Sequence, residues 1–289
     1  MSGTILVFGR SGQVAQELLA CPPEGRQVVA LGRDALDLAD PGCDAAIAAA
    51  VEAHAPVAVI NAAAYTAVDR AEAEEAQAQQ INATASGAMA RTCAARGIPL
   101  VQLSTDYVFD GAGETAFAPD HPAAPLGTYG RSKLAGETAV RAADGVHAIL
   151  RTSWVFSAHG QNFLKTMLRL SESRSQLDVV ADQIGGPTPA RDIAAACLTV
   201  AGKLAEDGGK TGTYHFAGAP ETSWKDFAEA IFAAAGRAVA VRGIATADYP
   251  TAAVRPLNSR LDCATLTAQF GITRPDWRAA VRDIVKELT

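Results

Sequence analysis

Short apolar runs alternate with longer, alanine-rich stretches along the first half of this 289-residue chain, and this alternation constrains the fold more than any other feature. Runs of this length are typical of buried strands, and the stretches between them have helical composition. The order predicts right-handed β–α–β units, and so an α/β fold with a doubly wound parallel sheet covered by helices on both faces. The predicted strands are Thr4–Phe8, Gln27–Leu31, Val57–Ile60, Pro99–Leu103 and Ala148–Arg151.

Composition and charge exclude several classes of protein. The net charge of −6 argues against a nucleic-acid or anionic-membrane partner, since both favour broad positive charge. The chain begins without a basic leader, and its apolar runs are shorter than the roughly 20 residues that span a bilayer. The 5 cysteines are widely scattered, which indicates reduced thiols rather than a metal set. We therefore expect a cytoplasmic protein that binds neither nucleic acid nor membrane.

A glycine loop follows the first predicted strand and opens a helix. Gly9, Ser11, Gly12 and Ala15 are small residues at this point. Small residues here let the backbone approach the pyrophosphate of a dinucleotide at the helix N-terminus. The alternative is a tight strand-to-helix turn that binds no ligand.

The end of the second predicted strand bears on which dinucleotide is bound. Arg33 follows Gly32 where an NAD-selective site commonly has an acidic side chain. Arg33 could pair with a 2′-phosphate, which favours NADPH, but a solvent-facing arginine fits equally well and leaves NADH as the alternative. Asp37 and Leu38 are candidates for the adenine edge, although Asp37 also suits a local loop acceptor.

Small residues also follow the third predicted strand. The run Asn61-Ala62-Ala63-Ala64-Tyr65-Thr66 would let the backbone pass close to a bound dinucleotide, although alanine also simply favours helix. The acidic residues after this run are expected to favour the dipole at a helix start and to face solvent. They are Asp69, Glu72, Glu74 and Glu75.

Tyr129 and Lys133 lie four residues apart, so on a helix they share one face. A neighbouring ammonium lowers the pKa of a phenol and makes the tyrosine a better general acid or base. Thr105 and Asp106 follow the fourth predicted strand and are candidates for a substrate carbonyl and a sugar hydroxyl. Trp154 could pack on a sugar. Each has a plainer alternative: an exposed helix face, a turn residue or a core tryptophan.

The pattern loosens after the fifth strand and predicts two units. Residues 1–152 are the predicted dinucleotide-binding domain, completed by part of residues 187–218. Residues 153–289 mainly form a smaller C-terminal lobe that binds substrate. A long loop is predicted at Asp110–Gly127, a strand at Thr213–Ala217, and helices at Asn162–Glu172, Arg191–Glu206 and Lys225–Ala235.

Two remaining groups of residues carry less information. The 5 histidines are too dispersed for a metal set and are expected to be structural. Residues 255–261 place two arginines in a proline-fixed loop, which suits a pyrophosphate, an interface or solvent. The sequence therefore assigns no metal ligands.

Several motifs together resemble a known group of enzymes. The glycine loop, residues 61–64, Ser104–Phe109 and Tyr129-x-x-x-Lys133 resemble the extended short-chain dehydrogenase/reductase superfamily. More specific motifs at residues 152–156, 162–163, 182–188 and 255–261 resemble the dTDP-4-dehydrorhamnose reductase family within it. The resemblance runs nearly from end to end of the chain.

This resemblance implies a Rossmann-type fold and NAD(P)H-dependent reduction of the C4 ketone of dTDP-4-dehydro-β-L-rhamnose, the last step of dTDP-L-rhamnose biosynthesis. Tyr129 would donate the proton, Lys133 would lower its pKa and hold the nicotinamide ribose, and Thr105 would orient the ketone. The residues expected to contact the dTDP-sugar are Thr105, Asp106, Tyr129, Lys133 and Trp154. Those expected around the dinucleotide are Gly9, Ser11, Gly12, Gln13, Val14, Arg33, Asp37, Leu38, Ala62, Ala63, Ala64, Tyr65, Thr66, Tyr129 and Lys133.

The resemblance leaves the metal, the assembly and the exact reaction open. Some relatives form Mg²⁺-linked homodimers through acidic side chains. Glu17 is a candidate here, whereas Arg191 beside Asp192 argues against the metal. The competing functions are a nucleotide-sugar 4-epimerase that keeps its NAD bound and a non-catalytic regulatory subunit, which need not retain the set of Thr105, Tyr129 and Lys133.

Overall fold

The strands and helices of the protein are taken from a computed structural model that describes residues 3–289. The predicted absence of a leader concerns Met1 and Ser2 and lies outside the described residues. The strands are β1 (Gly3–Phe8), β2 (Arg26–Leu31), β3 (Ala58–Asn61), β4 (Leu100–Thr105), β5 (His147–Thr152), β6 (Val155–Phe156), β7 (Gln176–Val180), β8 (Ile184–Gly185), β9 (Thr188–Pro189), β10 (Gly212–His215), β11 (Thr222–Ser223), β12 (Ala240–Ile244) and β13 (Asn258–Ser259). The helices are α1 (Gln13–Ala20), α2 (Cys43–His54), α3 (Val68–Ala71), α4 (Glu75–Gln79), α5 (Ala85–Ala95), α6 (Thr128–Ala142), α7 (Phe163–Ser171), α8 (Ala190–Glu206), α9 (Trp224–Ala234), α10 (Ala264–Phe270) and α11 (Trp277–Leu288).

The main sheet has six strands in the order β10-β5-β4-β3-β1-β2, and every pairing in it is parallel. The chain moves outward from β1 to β2 and then returns to the other side of β1 with β3, so the strand order reverses there. Phe8 at the end of β1 is in register with both Leu31 and Asn61. The loops after β1, β2 and β3 therefore meet at one edge, where doubly wound sheets bind their ligands.

Helices cover both faces of the main sheet. Leu18 of α1 and Ile193 of α8 pack on one face against the buried strand residues Val7 and Leu150. On the other face, helices α2, α5 and α6 contribute a second buried cluster; among its members are Ile47, Val51, Met89 and Val140. The predicted doubly wound α/β fold is confirmed.

The C-terminal part of the chain has its own apolar core. Strands β7 and β12 pair in parallel, and helices α7, α9 and α11 pack beside them. The largest buried side chains of this core are Phe156, Phe227 and Trp277. We call the part of the chain built around this core the C-terminal lobe.

A small three-stranded sheet, in the order β11-β8-β13, joins segments far apart in sequence. Thr222 of β11 pairs with Gly185 of β8, and Ser259 of β13 pairs with Gly185 on the other side. The loop 110–127 also contacts this region, because Phe117 and Arg260 form a backbone hydrogen bond of 2.9 Å. Residues 182–188 and 255–261 are therefore neighbours.

The predicted strands and helices are found close to their expected positions. The strand predicted at Thr213–Ala217 begins one residue earlier, as β10, and ends at His215. The helix of Tyr129 begins at Thr128, directly after the predicted loop. Several features were not predicted: strands β7 and β12, helices α10 and α11, and the π-helical turn at Gln80–Thr84 through which α4 continues into α5.

Two general expectations also bear on the described residues. None of the helices within residues 3–289 combines the length and the apolar character that crossing a bilayer requires. The 5 cysteines are all unbonded thiols, with Cys21 exposed and the others buried.

Candidate active site

Three cavities adjoin one another along the edge of the main sheet and the C-terminal lobe. The strand-edge cavity, of about 420 Å³, is bounded by the loops after β1, β2 and β3. The central cavity, of about 580 Å³, is lined by Tyr129 and Lys133 and shares Gly12 with the first. The lobe cavity, of about 770 Å³, lies against α7, α9 and β7 and shares Tyr107 with the central cavity.

The structure brings the residues predicted for the dinucleotide to the first two cavities. The strand-edge cavity is lined by Gly9, Ser11, Gly12, Arg33, Asp37, Leu38, Ala62, Ala63, Ala64, Tyr65 and Thr66. The central cavity is lined by Gln13, Val14, Tyr129 and Lys133, and also by the other predicted substrate contacts Thr105, Asp106 and Trp154. Residues from six separate segments thus face one continuous groove.

The glycine loop is shaped by two different requirements. Gly9 has φ of +102°, and a Cβ there would lie 3.0 Å from the backbone nitrogen of Ala63. Glycine is therefore needed at this position for both conformation and space. At Gly12 the nearest atom to an added Cβ is the Ala62 carbonyl oxygen, 4.0 Å away. Protein packing does not account for glycine at position 12, whereas a ligand close to the start of α1 does.

The loop after β3 is held by two buried asparagines. Asn61 accepts from the Ala63 backbone at 3.1 Å and donates to Gln102 at 2.9 Å. Asn82, in the π-helical turn, accepts from the Tyr65 backbone at 2.8 Å and donates to the Tyr65 carbonyl at 3.1 Å. These contacts fix the backbone of Ala62–Tyr65 where it borders the groove.

Two carboxylates expected to face solvent are exposed and also stabilise other elements. Glu72 accepts from the backbone N–H of Thr128 at 2.8 Å and from its hydroxyl at 2.9 Å. It therefore caps the N-terminus of α6, next to Tyr129. Asp69 accepts from the Ala253 backbone at 3.0 Å and pairs with Arg255. The expected exposure is found for both residues, but these contacts were not predicted because the partners are far away in sequence.

Two glycines let α6 approach its neighbours closely. An added Cβ on Gly130 would collide with the Tyr107 carbonyl oxygen, and one on Gly136 would collide with the Asn82 carbonyl oxygen. Helix α6 therefore packs directly on the turn after β4 and on the π-helical turn. This contact sets the distance between Tyr129 and Thr105.

The electrostatics of Tyr129 differ from the prediction. Burial raises its pKa to about 12, and the nearby Thr105 hydroxyl opposes this rise only in part. The expected lowering by Lys133 is not found, since the Lys133 ammonium donates to the Leu103 carbonyl at 2.8 Å. Burial also lowers the pKa of Lys133 to about 8, against the opposing effect of Glu137. Tyr129 is thus a protonated phenol at neutral pH, suited to donate a proton.

Three buried side-chain polar atoms within residues 3–289 have no hydrogen-bond partner, and all three belong to residues that line these cavities. Asp106 Oδ2 and Thr152 Oγ1 belong to the central cavity, and Arg255 Nη1 to the lobe cavity. Burial raises the pKa of Asp106 to about 6, although Ser259 and Thr105 lower it in part. Ser259 lies near, but no described donor reaches Oδ2 with hydrogen-bond geometry. Such atoms usually mark places where a ligand or water completes the hydrogen bonding.

A buried ionic network lies behind the site, on the same face of α6 as Tyr129 and Lys133. Glu137 accepts two hydrogen bonds from Arg151, at 2.8 and 2.6 Å, and one from Ser104 at 2.6 Å. Arg151 also donates to the Pro119 carbonyl at 3.1 Å and contacts His215 at 3.3 Å. The network joins α6 to β4, β5, β10 and the loop 110–127.

Gln13 connects the glycine loop to the C-terminal segment rather than facing the groove freely. Its side-chain oxygen accepts from Ser157 and from Asn162, each at 2.9 Å. Its amide donates to the Val155 carbonyl at 3.4 Å. The start of α1 is therefore tied to the segment that leads into α7.

Two arginines, rather than the one predicted, lie at the outer end of the strand-edge cavity. Arg33 is exposed there as expected, and Arg10 from the glycine loop lies beside Gly32. Arg10 is 3.9 Å from Asp34, and both side chains are largely exposed. Arg10 and Arg33 together form a cationic rim at this end of the groove.

The residues considered for Mg²⁺ have protein partners of opposite charge. Glu17 lies 3.7 Å from His159, and Arg191 donates to Asp283 at 2.9 Å while lying 3.6 Å from Asp192. Within residues 3–289, groups of three or more His, Cys, Asp or Glu side chains placed to hold a metal ion are absent. The geometry gives no support to a magnesium site at Glu17.

Several residues of the site were missed from the sequence. Asn82 sits in a π-helical turn that has no clear sequence signal. Glu137 could have been found, because it follows Lys133 at the same four-residue interval that separates Lys133 from Tyr129. Trp224 could not, since its place beside Trp154 depends on the pairing of β11 with β8.

Comparison with known proteins identifies the family. Residues 3–289 match the family described as the RmlD substrate binding domain. The dTDP-4-dehydrorhamnose reductase of Burkholderia thailandensis is 44% identical over 296 aligned residues, which cover 98% of each chain. That of Sinorhizobium fredii is 42% identical over 287 residues, covering 97% of this chain and 96% of the relative.

A solved structure agrees with the sequence relatives. The dTDP-4-dehydrorhamnose reductase of Bacillus anthracis, in complex with NADP, superposes with a TM-score of 0.91 at 34% identity, covering 99% of this chain and 100% of that one. Its fold is the Rossmann-type fold predicted here. The resemblance inferred from the sequence motifs is confirmed, and the chain belongs to the RmlD substrate binding domain family, together with the dTDP-4-dehydrorhamnose reductases.

Proposed function

We propose that this chain is a dTDP-4-dehydrorhamnose reductase, which uses NADPH to reduce the C4 ketone of dTDP-4-dehydro-β-L-rhamnose to dTDP-β-L-rhamnose. The observation that carries the proposal is the position of the three unpartnered buried atoms, which all belong to residues lining the central and lobe cavities beside Tyr129. A nucleotide sugar supplies the hydroxyl and phosphate groups that these atoms lack. Full-length relatives with the same name support the assignment.

The strand-edge and central cavities fit a dinucleotide. Gly12 leaves space at the start of α1 for the pyrophosphate, where backbone N–H groups and the helix dipole favour an anion. Arg10 and Arg33 form the cationic rim, which suits the 2′-phosphate of NADPH. The Bacillus anthracis relative was solved with NADP, and NADH is the alternative cofactor.

The reduced nicotinamide supplies a hydride equivalent when bound, and the residues of this chain manage the proton and the charge. Tyr129 keeps its proton at neutral pH, because burial raises its pKa to about 12. As negative charge develops on the C4 oxygen, the phenol donates that proton and the Thr105 hydroxyl orients the oxygen. The Lys133 ammonium, which donates to the Leu103 carbonyl, would use its remaining N–H donors to hold the nicotinamide ribose.

The dTDP-sugar would extend from the central cavity into the lobe cavity. Asp106 Oδ2 and Thr152 Oγ1 are placed to bond sugar hydroxyls, and Trp154 lines the same cavity as a surface for the hexose. Arg255 Nη1 in the lobe cavity is suited to a diphosphate oxygen. Tyr107 lines both cavities, so the sugar–phosphate linkage would pass beside it.

This assignment implies a division of labour along the chain. Residues 1–152, extended by β10, would hold the dinucleotide, and residues 153–289 would mainly hold the dTDP-sugar. The cytoplasm is the proposed compartment, which fits the 5 unbonded thiols. A homodimer is the proposed assembly, without a Mg²⁺ link at Glu17.

Turnover tests the proposal against its competitors. NADPH and NADH are supplied in parallel with dTDP-4-dehydro-L-rhamnose, with and without a chelator of Mg²⁺, and absorbance loss and product mass are followed. The proposal predicts stoichiometric oxidation and a product two mass units heavier. Inversion at C4 of added dTDP-L-rhamnose without net oxidation or reduction of the cofactor would indicate a 4-epimerase, and cofactor binding without conversion of either sugar would indicate a regulatory subunit.

A further inference from the structure

Two tryptophans stack where the central and lobe cavities meet. The Trp154 and Trp224 rings have centroids 3.6 Å apart and planes that differ by 12°. Trp154 lines the central cavity and Trp224 lines the lobe cavity. Phe163 packs on Trp224 with ring centroids 4.6 Å apart. The indole of Trp154 is therefore backed by a second indole, which is itself supported by a third ring.

The backbone of Trp154 needs this support. Its φ is +50°, a left-handed conformation that bulky side chains rarely adopt. The Trp154 carbonyl accepts from the Thr188 backbone at 3.1 Å, where β6 and β9 begin to pair. Such a conformation persists only where surrounding contacts fix it. The stack on Trp224 is a contact that fixes the ring itself.

The orientation of Trp224 is set by the motif at residues 182–185. Its indole N–H donates to the Gln183 side chain at 3.1 Å, and Gln183 donates to the Thr246 hydroxyl at 3.1 Å. Asp182 accepts from the same hydroxyl at 2.6 Å and from the Thr246 backbone at 2.9 Å. The plane of the Trp224 ring is thus held at its edge by a chain of hydrogen bonds.

Gly185 in the same motif leaves room for the other indole. A Cβ at Gly185 would lie 2.7 Å from Cε2 of Trp154. Strand β8 pairs with β11 directly before Trp224, so one short pairing brings both rings together. Gln183 and Gly185 thus each contact one of the two indoles, and Asp182 binds the Thr246 side chain that holds Gln183.

We propose that Trp224 is a positioning residue that holds Trp154 against the hexose of the bound nucleotide sugar. This rests on the proposed function for the identity of that sugar. Trp224 acts through Trp154: it covers one face of the indole while Gly185 lies against the other, which holds the part of the ring that lines the central cavity so that the sugar ring lies with its ketone toward Tyr129 and Thr105. Its contribution through Trp154 belongs to the sugar, whereas a direct contact of Trp224 with the nucleotide in the lobe cavity is measured with dTDP alone.

The test separates sugar binding from nucleotide binding. Affinities for dTDP and for dTDP-L-rhamnose are measured by calorimetry with saturating NADP⁺, for the wild-type protein and for Trp224→Leu. The variant should bind dTDP-L-rhamnose ~10-fold more weakly, near the upper end of the scale for one lost aromatic pair. Its affinity for dTDP alone should fall by a smaller factor, because the direct contact of Trp224 with the nucleotide would be limited to the lobe cavity. An equal loss of affinity for both ligands, or no loss of affinity, would overturn the proposal.

Further variants separate positioning from folding. Trp224→Phe keeps a stacked ring and should restore most of the lost sugar affinity, whereas Gln183→Met keeps the indole but frees its edge and should give an intermediate loss. Phe232 lies in the same helix as Trp224 and is buried in the core of the C-terminal lobe. Phe232→Leu therefore controls for a general weakening of the lobe and should leave both affinities unchanged. An equal sugar-specific loss in Phe232→Leu would contradict a role particular to Trp224.

Turnover of the wild-type protein is followed in the same series. A wild-type protein that binds dTDP-L-rhamnose more tightly than dTDP but oxidises no NADPH contradicts the proposed reductase, while the binding data still decide the role of Trp224. If the wild-type protein gains no affinity from the hexose, the role of Trp224 is refuted directly. In turnover, Trp224→Leu should raise KM for the sugar substrate and leave KM for NADPH unchanged.

Discussion

Removing the charge of Glu137 should destabilise the protein strongly, because it leaves Arg151 buried without its counter-ion. The two side chains are 1% and 3% exposed and share two hydrogen bonds. Removing one partner of a buried pair costs about 3–5 kcal/mol. Glutamine keeps the shape and one acceptor oxygen, so Glu137→Gln should lower the free energy of unfolding by about 3 kcal/mol.

Urea unfolding at neutral pH measures this loss, and two other variants calibrate it. Arg141 also pairs with Glu137, but the Arg141 side chain is 40% exposed. Arg141→Ala should therefore lower the free energy of unfolding by less than about 1 kcal/mol. The double variant Glu137→Leu with Arg151→Met removes both charges. It should lose less stability than the sum of the losses in Glu137→Leu and Arg151→Met made singly. A free energy of unfolding for Glu137→Gln within about 1 kcal/mol of the wild-type value would refute the reasoning.

The same network predicts how the loss of stability in Glu137→Gln depends on pH. Burial alone would raise the pKa of Glu137, but hydrogen bonds and charge from Arg151, with Ser104 and Arg141, outweigh it and lower the pKa below the ordinary 4.5. The stabilisation by the carboxylate is thus fully present above pH 4.5 and is lost as the pH falls through the lower, folded value. The gap between wild type and Glu137→Gln should shrink in acid. A gap that widens there contradicts the assignment.

Four other changes probe the site. Tyr129→Phe should lower kcat by ~10²-fold or more with NADPH affinity unchanged; normal turnover would exclude the phenol as proton donor. Burial lowers the pKa of Lys133 to about 8, so kcat/KM should fall as the pH rises through that value, and a flat profile would count against the charged ammonium. Arg33→Ala should reduce the preference for NADPH over NADH by about 10-fold, and an unchanged ratio would place the arginine in solvent only. Gly136→Ala should lower the free energy of unfolding by about 1–3 kcal/mol. Gly202 has open space around an added Cβ, so Gly202→Ala should cost no stability. Equal effects of the two changes would argue against the close approach of α6.

The parts of the site that could be predicted are those encoded locally. Gly9 and Gly12 stand at fixed offsets from an apolar strand, and Tyr129 and Lys133 share a helix face through their spacing alone. Parallel strands bring their carboxyl ends to one edge, so the meeting of these segments followed from strand order. No long-range information was needed for these residues.

The parts that could not be predicted depend on distant pairing or on burial. Glu72 caps α6 across 56 positions of sequence, and Trp224 meets Trp154 only because β11 pairs with β8. The pKa of Tyr129 was expected to fall because of Lys133 but rises through burial, and burial cannot be read from spacing. The specific motifs at residues 182–188 and 255–261 pointed to the family without showing that they assemble a common sheet.

Transfer of deuterium from reduced cofactor to sugar tests the central claim most directly. The protein is incubated with dTDP-4-dehydro-L-rhamnose and NADPH carrying deuterium at C4 of the nicotinamide, on each face in turn, and the product is analysed by NMR. The account predicts one deuterium at C4 of dTDP-L-rhamnose from one face and none from the other. Product without deuterium from either face, or a converted sugar with the cofactor unoxidised, would contradict it.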